Sequence, residues 1–174
     1  MPAPTLFPIP APAPARLSIV ARPRGGDGLD DELRAVRAAD VDILVCLLTL
    51  AERDELALTD EAAAATRAGL EFHAWAIADF GVPDHQAIRP LLDLLATALR
   101  TGRHVAVHCR AGVGRSSLIA AALLTRLGID TEQAWNVIAR ARGVPVPETA
   151  QQRRWPSAAR QTGRGQIGSG QIGN

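Results

Sequence analysis

The stretch HVAVHCRAGVGRSSLIAAALLTRLG, His104–Gly128, decides the fold. HVAVHC is a short, valine-rich run of strand length, while SSLIAAALLTRLG is apolar nearly all round and stopped by Gly128, as a buried helix should be. Between them lies a glycine-containing loop of Arg110, Ala111, Gly112, Val113 and Gly114. A strand, such a loop and a helix starting near Arg115 aim backbone N–H groups at one point, where the helix dipole favours negative charge. That is the layout of an anion site. Cys109 stands where this field is strongest, and the field favours a thiolate, so Cys109 is the candidate nucleophile. Arg115 closes the loop with a planar fork able to hold two oxygens of one phosphate, a geometry that lysine cannot reproduce. Gly112 and Gly114 let the backbone bend toward the ligand, so the anion-binding set is read as Arg110 through Arg115.

Outward from this stretch, strands and helices alternate. LSIV (Leu17–Val20), VDILVCLL (Val41–Leu48) and LEFHAWAI (Leu70–Ile77) read as three strands before HVAVHC, separated by helical patterns at residues 29–39, 59–69 and 91–102. Such spacing predicts parallel βαβ units: an α/β fold with a central, mostly parallel sheet of about four to five strands, flanked by helices. The half after Cys109 turns helical. DTEQAWNVIARARG pairs Asp130 and Gln133 at capping-box spacing and ends on Gly143, and after Pro145 and Pro147 a last helix runs through ETAQQRRW. Pro90 leaves the helix before the fourth strand open to two readings: a start at Asp84 with a kink, or a start near Pro90.

A chain of 174 residues with 47% hydrophobic content can bury one sizeable core, and a single domain is expected over residues 16–160. Residues 1–15 alternate proline with small residues, and residues 161–174 are rich in Gly, Gln and Ser; both read as disordered tails. The net charge of +1 makes too weak a field to draw the chain onto nucleic acid or an anionic bilayer. No run approaches the roughly 18 uninterrupted apolar residues of a membrane span. With two cysteines, no disulfide framework and no signal-like start, the chain reads as a cytoplasmic monomer without nucleic-acid or membrane partners.

Rival loops fail on particular residues. A nucleotide-binding Walker loop needs glycine in place of Cys109 and lysine in place of Arg115. Sulfurtransferase loops put four residues between cysteine and arginine, whereas five intervene here, a longer ring suited to a tetrahedral phosphate. HCRAGVGRS resembles the signature of the cysteine-based protein tyrosine phosphatase superfamily: His-Cys, five residues, Arg, then Ser or Thr. The short domain looks like the compact dual-specificity branch, closest to kinase-associated and small archaeal-type tyrosine phosphatases, with the resemblance covering roughly Asp42 to Trp155. It implies a phosphocysteine intermediate on Cys109, no cofactor and no metal.

The resemblance also implies an acid for the leaving oxygen. AIADFGVPD offers Asp79, directly after a strand and trailed by Gly81, and Asp84, which looks like a helix N-cap; Asp79 is the preferred reading. PETAQQRRW is similar to the family segment whose glutamine positions the hydrolytic water, which points to Gln152, with Gln151 as fallback. Ser116 either hydrogen-bonds the sulfur or only caps the helix, and His108 is expected to order the loop through hydrogen bonds to backbone. Cys46 lies in a buried-strand pattern and reads as a packed core thiol; some relatives pair a cysteine of this strand with the nucleophile in a protective disulfide, but the register here is one position off. Two classes remain, a phosphomonoester hydrolase and a catalytically weak phosphate-binding module, and the presence of nucleophile, arginine, hydroxyl and acid favours the enzyme. Ala111 and Val113 lack the extra basic residues of phosphoinositide-phosphatase loops, so phosphotyrosine on proteins, with phosphoserine or phosphothreonine beside it, leads over small phosphorylated metabolites. The chain contains no tyrosine, so a tyrosine clamp for deep phosphotyrosine selection is absent.

Overall fold

In the computed structural model, which describes residues 4–161, five strands form one sheet. They are β1 (Leu6–Ile9), β2 (Arg16–Val20), β3 (Ile43–Cys46), β4 (Glu71–Ala74) and β5 (His104–His108), in the order β1-β2-β5-β3-β4. Only β1 and β2 pair antiparallel; the rest of the ladder is parallel. The α/β class read from the alternation therefore holds.

Every residue of β5 is buried, as befits a central parallel strand with helices on both faces. Val105 and Val107 face a core shared with Leu92, Leu95 and Leu99 of α4 (His85–Arg100). Ala106 faces a second core with Leu33 of α1 (Leu29–Ala38) and Ala64 of α3 (Glu61–Arg67). The central helix α5 (Arg115–Arg126) is buried at every position from Arg115 to Thr125, which explains a sequence apolar all round. Against it pack α6 (Thr131–Arg142), capped by Asp130 and ended by Gly143 at φ 68°, and α7 (Ala150–Gln161). Among the described residues no helix is long and apolar enough to cross a membrane.

Two expectations need correction, and the open reading at Pro90 is decided. The proline-rich segment is not a tail throughout: Leu6–Ile9 form β1, with Ile9 in the core. Pro8 is tolerated because β1 is an edge strand, where a missing N–H breaks no interior ladder. The glycine-rich segment after residue 161 lies outside the described residues. The helix around Pro90 begins at His85, so the proline sits inside α4; Gln86, whose carbonyl loses a partner, lies on the exposed side. The strand expected to reach Leu48 ends at Cys46, and past an irregular Leu47–Thr49 a short helix, α2 (Leu50–Glu55), begins, held by a capping box of Thr49 and Glu52.

Candidate active site

The loop between β5 and α5 places Cys109, nearly buried, against its own backbone, with the Gly112 N–H donating to Sγ at 3.2 Å. Gly112 has φ 68°, a conformation that costs glycine little. At Gly114 a Cβ would lie 2.0 Å from Glu148 Oε2, so any larger residue there would have to displace the Glu148 side chain. No side chain caps the first turn of α5, which leaves its N–H groups facing the loop for an anion.

Arg115 is the first residue of α5 and is only 2% exposed. Its Nη1 donates to Glu52 Oε2 at 2.7 Å and to the Ile77 carbonyl at 2.9 Å, and its Nη2 donates to Glu52 Oε1 at 2.8 Å. Of the five N–H groups of a guanidinium, this leaves Nε–H and one Nη2–H on a single edge, the arrangement for two phosphate oxygens. Hydrogen bonds from Arg115 hold the Glu52 carboxyl far below its usual range, at about 2; burial opposes the shift and the Thr49 amide adds to it. Glu52 escaped the sequence reading, although the spacing T-x-x-E at Thr49–Glu52 was a visible capping signal.

The two candidate acids separate cleanly. Asp79 is half exposed, with Oδ1 3.3 Å from Arg115 Nη2 and accepting from the Phe80 N–H at 3.2 Å. Asp84 caps α4 by accepting from the Ala87 N–H at 2.8 Å, the role that its place after Pro83 suggested. Gln152 is fully buried; its Nε2 donates to the Gly81 carbonyl beyond Asp79, and its Oε1 lies 3.1 Å from a Cβ built on Gly114. Gln152 thus touches both the loop that carries Asp79 and the loop between β5 and α5, while Gln151 is exposed.

Other residues take unexpected partners. Arg110 is held at the surface by both oxygens of Glu55, at 3.1 and 2.6 Å. The Ser116 hydroxyl, fully buried, neither caps α5 nor meets any hydrogen-bond partner among the described residues. Among the described residues the His108 side chain bonds no backbone, contrary to expectation: its Nε2 lies 2.6 Å from Glu61 Oε1, both residues being wholly buried. A buried imidazole needs a partner, and α3 supplies a carboxylate before the loop can. Burial alone would push the His108 pKa down, but the Glu61 charge and contacts with Cys46 and Glu61 outweigh it and raise the value to about 10.

Cys46 pairs in register with His108 and belongs to the α1/α3 core, whereas Cys109 belongs to the core on the other face. That alternation is the one-position offset seen in the sequence, and it turns Cys46 away from Cys109. Ligand atoms of Cys46, Glu61 and His108 lie within 4.8 Å of one another. The 2.6 Å contact is shorter than the separation of about 3.3 Å implied by tetrahedral zinc bonds of ~2.0–2.1 Å, so a shared proton fits there better than a metal.

Comparison with known proteins agrees with this geometry. The family described as polymorphic toxin system, DSP-PTPase phosphatase matches residues 20–129. Cyclin-dependent kinase inhibitor 3 of Rattus norvegicus is 36% identical over 86 residues, and that of Homo sapiens 37%. Each match covers 48% of this chain and 41% of the relative, so the chain spans less than half the length of these curated relatives. The structure of kinase associated phosphatase with its catalytic-site cysteine substituted by serine superposes at a TM-score of 0.81, with 21% identity over 93% of this chain and 97% of that one. The active form of Tk-PTP gives a TM-score of 0.70 and 26% identity, over 84% and 92% of the two chains. With more than half of its length matched, including the anion loop and both carboxylates that flank Arg115, the chain belongs to the DSP-PTPase phosphatase family of polymorphic toxin systems.

Proposed function

We propose that the protein hydrolyses phosphomonoesters, removing phosphate from tyrosine, and also from serine or threonine, on proteins. The observation that carries the reading is a loop that turns the Gly112 N–H onto Cys109 Sγ and ends on a buried Arg115 whose charge interacts with Cys109. In the first step the sulfur attacks phosphorus; an S–P bond forms, the P–O bond to the leaving group breaks, and Asp79 delivers a proton to the departing oxygen. Arg115 and the loop N–H groups hold the equatorial oxygens where charge develops. In the second step Gln152 positions a water, Asp79 accepts its proton, the water oxygen bonds to phosphorus and the S–P bond breaks, releasing phosphate and the thiolate, toward which the Ser116 hydroxyl is free to turn.

The reading extends to a cytoplasmic monomer without nucleic-acid or membrane partners, supported by the net charge of +1 and by two free cysteines. Arg110 is engaged by Glu55, and Ala111 and Val113 add no charge, which supports a phosphoprotein substrate over a polyphosphorylated one. The test is a panel of phosphopeptides, inositol phosphates and sugar phosphates, with rapid acid quench to trap the phosphoenzyme. Hydrolysis of phosphotyrosine peptides with a label on Cys109 is expected. Exclusive turnover of sugar phosphates would select the metabolite alternative, and binding without turnover would select the weak binding module.

A further inference from the structure

The anion loop has a back as well as a front. Arg142, the last residue of α6, donates from Nε to the Gly112 carbonyl at 2.7 Å and from Nη2 to the Ala111 carbonyl at 3.3 Å. In a trans peptide the C=O and the following N–H point in opposite directions. Holding the Ala111 carbonyl outward therefore turns the Gly112 N–H inward, and this is the N–H that donates to Cys109 Sγ. Holding the Gly112 carbonyl does the same for the Val113 N–H. Arg142 is itself held: its Cζ lies over the Phe7 ring of β1, 3.7 Å from the ring centroid. Both residues lie outside the 20–129 segment that the family matches.

We propose that Phe7 and Arg142 form a clamp on the back of the loop, aiming the Gly112 and Val113 N–H groups at Cys109 and the bound phosphoryl group, so that the edge strand β1 is part of the catalytic apparatus. The clamp rests on the phosphatase reading of the site. Neither residue touches substrate; both are positioning residues. Donors fixed before the reaction stabilise developing charge without reorganising, so a slackened clamp weakens anion binding and slows turnover together. Leaving-group dependence, which belongs to the acid, stays as it is.

The experiment uses the full chain, measuring orthovanadate Kd, kcat/KM on nitrophenyl phosphate, and Tm. Arg142→Lys keeps the charge but replaces the rigid planar fork with a single nitrogen on a flexible stem, and vanadate Kd is expected to rise about 10- to 100-fold. Phe7→Leu keeps apolar bulk but loses the ring face, and Kd is expected to rise about two- to fivefold, with Phe7→Tyr returning it to the wild-type value. A purely structural role would lower Tm and leave the Kd of the folded protein unmoved. Folded Phe7→Leu and Arg142→Lys proteins that bind vanadate as the wild type does overturn the clamp and leave the phosphatase reading intact. A wild-type chain that binds no vanadate overturns that reading, and the clamp with it.

Discussion

His108 and Cys109 are neighbours in the chain and stand on opposite faces of the sheet. His108 points into a sealed core, where Glu61 neutralises it at 2.6 Å and both residues are wholly buried. Cys109 points into a cradle whose N–H groups and Arg115 edge converge beside it and offer two donors of a guanidinium to an incoming group. A buried charge whose partner is built into the fold contributes structure, whereas a cluster of donors without a fixed acceptor is a binding site. Two further cysteine and carboxylate pairs sharpen this contrast, Cys109 against Cys46 and Asp79 against Asp84.

The largest expected effect separates the two thiols. Cys109→Ser should lower turnover by at least about 10⁴-fold while vanadate binding largely survives, because the cradle stays and the nucleophile goes. Cys46→Ser, on the other face, should turn over like the wild type. Equal losses in both variants would mean that Cys46 takes part in the reaction.

Next in size is the acid. Asp79→Asn should slow release of an alkyl or unactivated phenyl alcohol by roughly 10²–10⁴-fold and leave nitrophenolate release far less affected, since a good leaving group departs without a proton. Leaving-group sensitivity appearing in an Asp84 variant instead would invert the assignment.

The buried pair on the His108 face is read by stability. The His108 pKa is raised from 6.5 to about 10, so the native state holds the proton more tightly than the unfolded chain does. Its contribution is fully present below pH 6.5 and is lost as pH rises toward about 10. Urea titrations should show stability falling across that window. Glu61→Gln should cost about 3 kcal/mol near neutral pH and flatten the slope. A wild-type stability that rises over the same window would refute the pairing.

The smallest effect belongs to the helix cap. Asp84→Ala should cost about 1 kcal/mol in thermal unfolding and keep the pH profile and leaving-group dependence of the wild type. A change in the alkaline limb of the rate profile would give Asp84 a chemical role.

The anion loop and its flanks were legible in the sequence because they are local: a strand, five residues and a helix can read out only one geometry, and the caps at Asp84 and Asp130 act within three residues of themselves. Asp79 was a candidate through the family resemblance, although the strand expected to run to Ile77 ends at Ala74, and Asp84 was legible as a cap. The helix α2 escaped because six residues carry too little periodicity to announce themselves. The strand β1 escaped because its prolines mask the apolar Leu6, Phe7 and Ile9 until an edge position is available for them.

By itself, then, the sequence determined the α/β alternation, the buried helix α5, and a cysteine and a guanidinium in one loop. The partners were decided by tertiary structure. Glu52 reaches Arg115 across 63 positions and Arg142 reaches Gly112 across 30, and Glu61 meets His108 only because α3 packs on one face of β5. Local geometry follows from backbone sterics and hydrogen bonds within a few residues, which any reader of the chain can apply. Which distant carboxylate neutralises a buried cation depends on how helices cover the sheet, and that is set by the packing of the whole core.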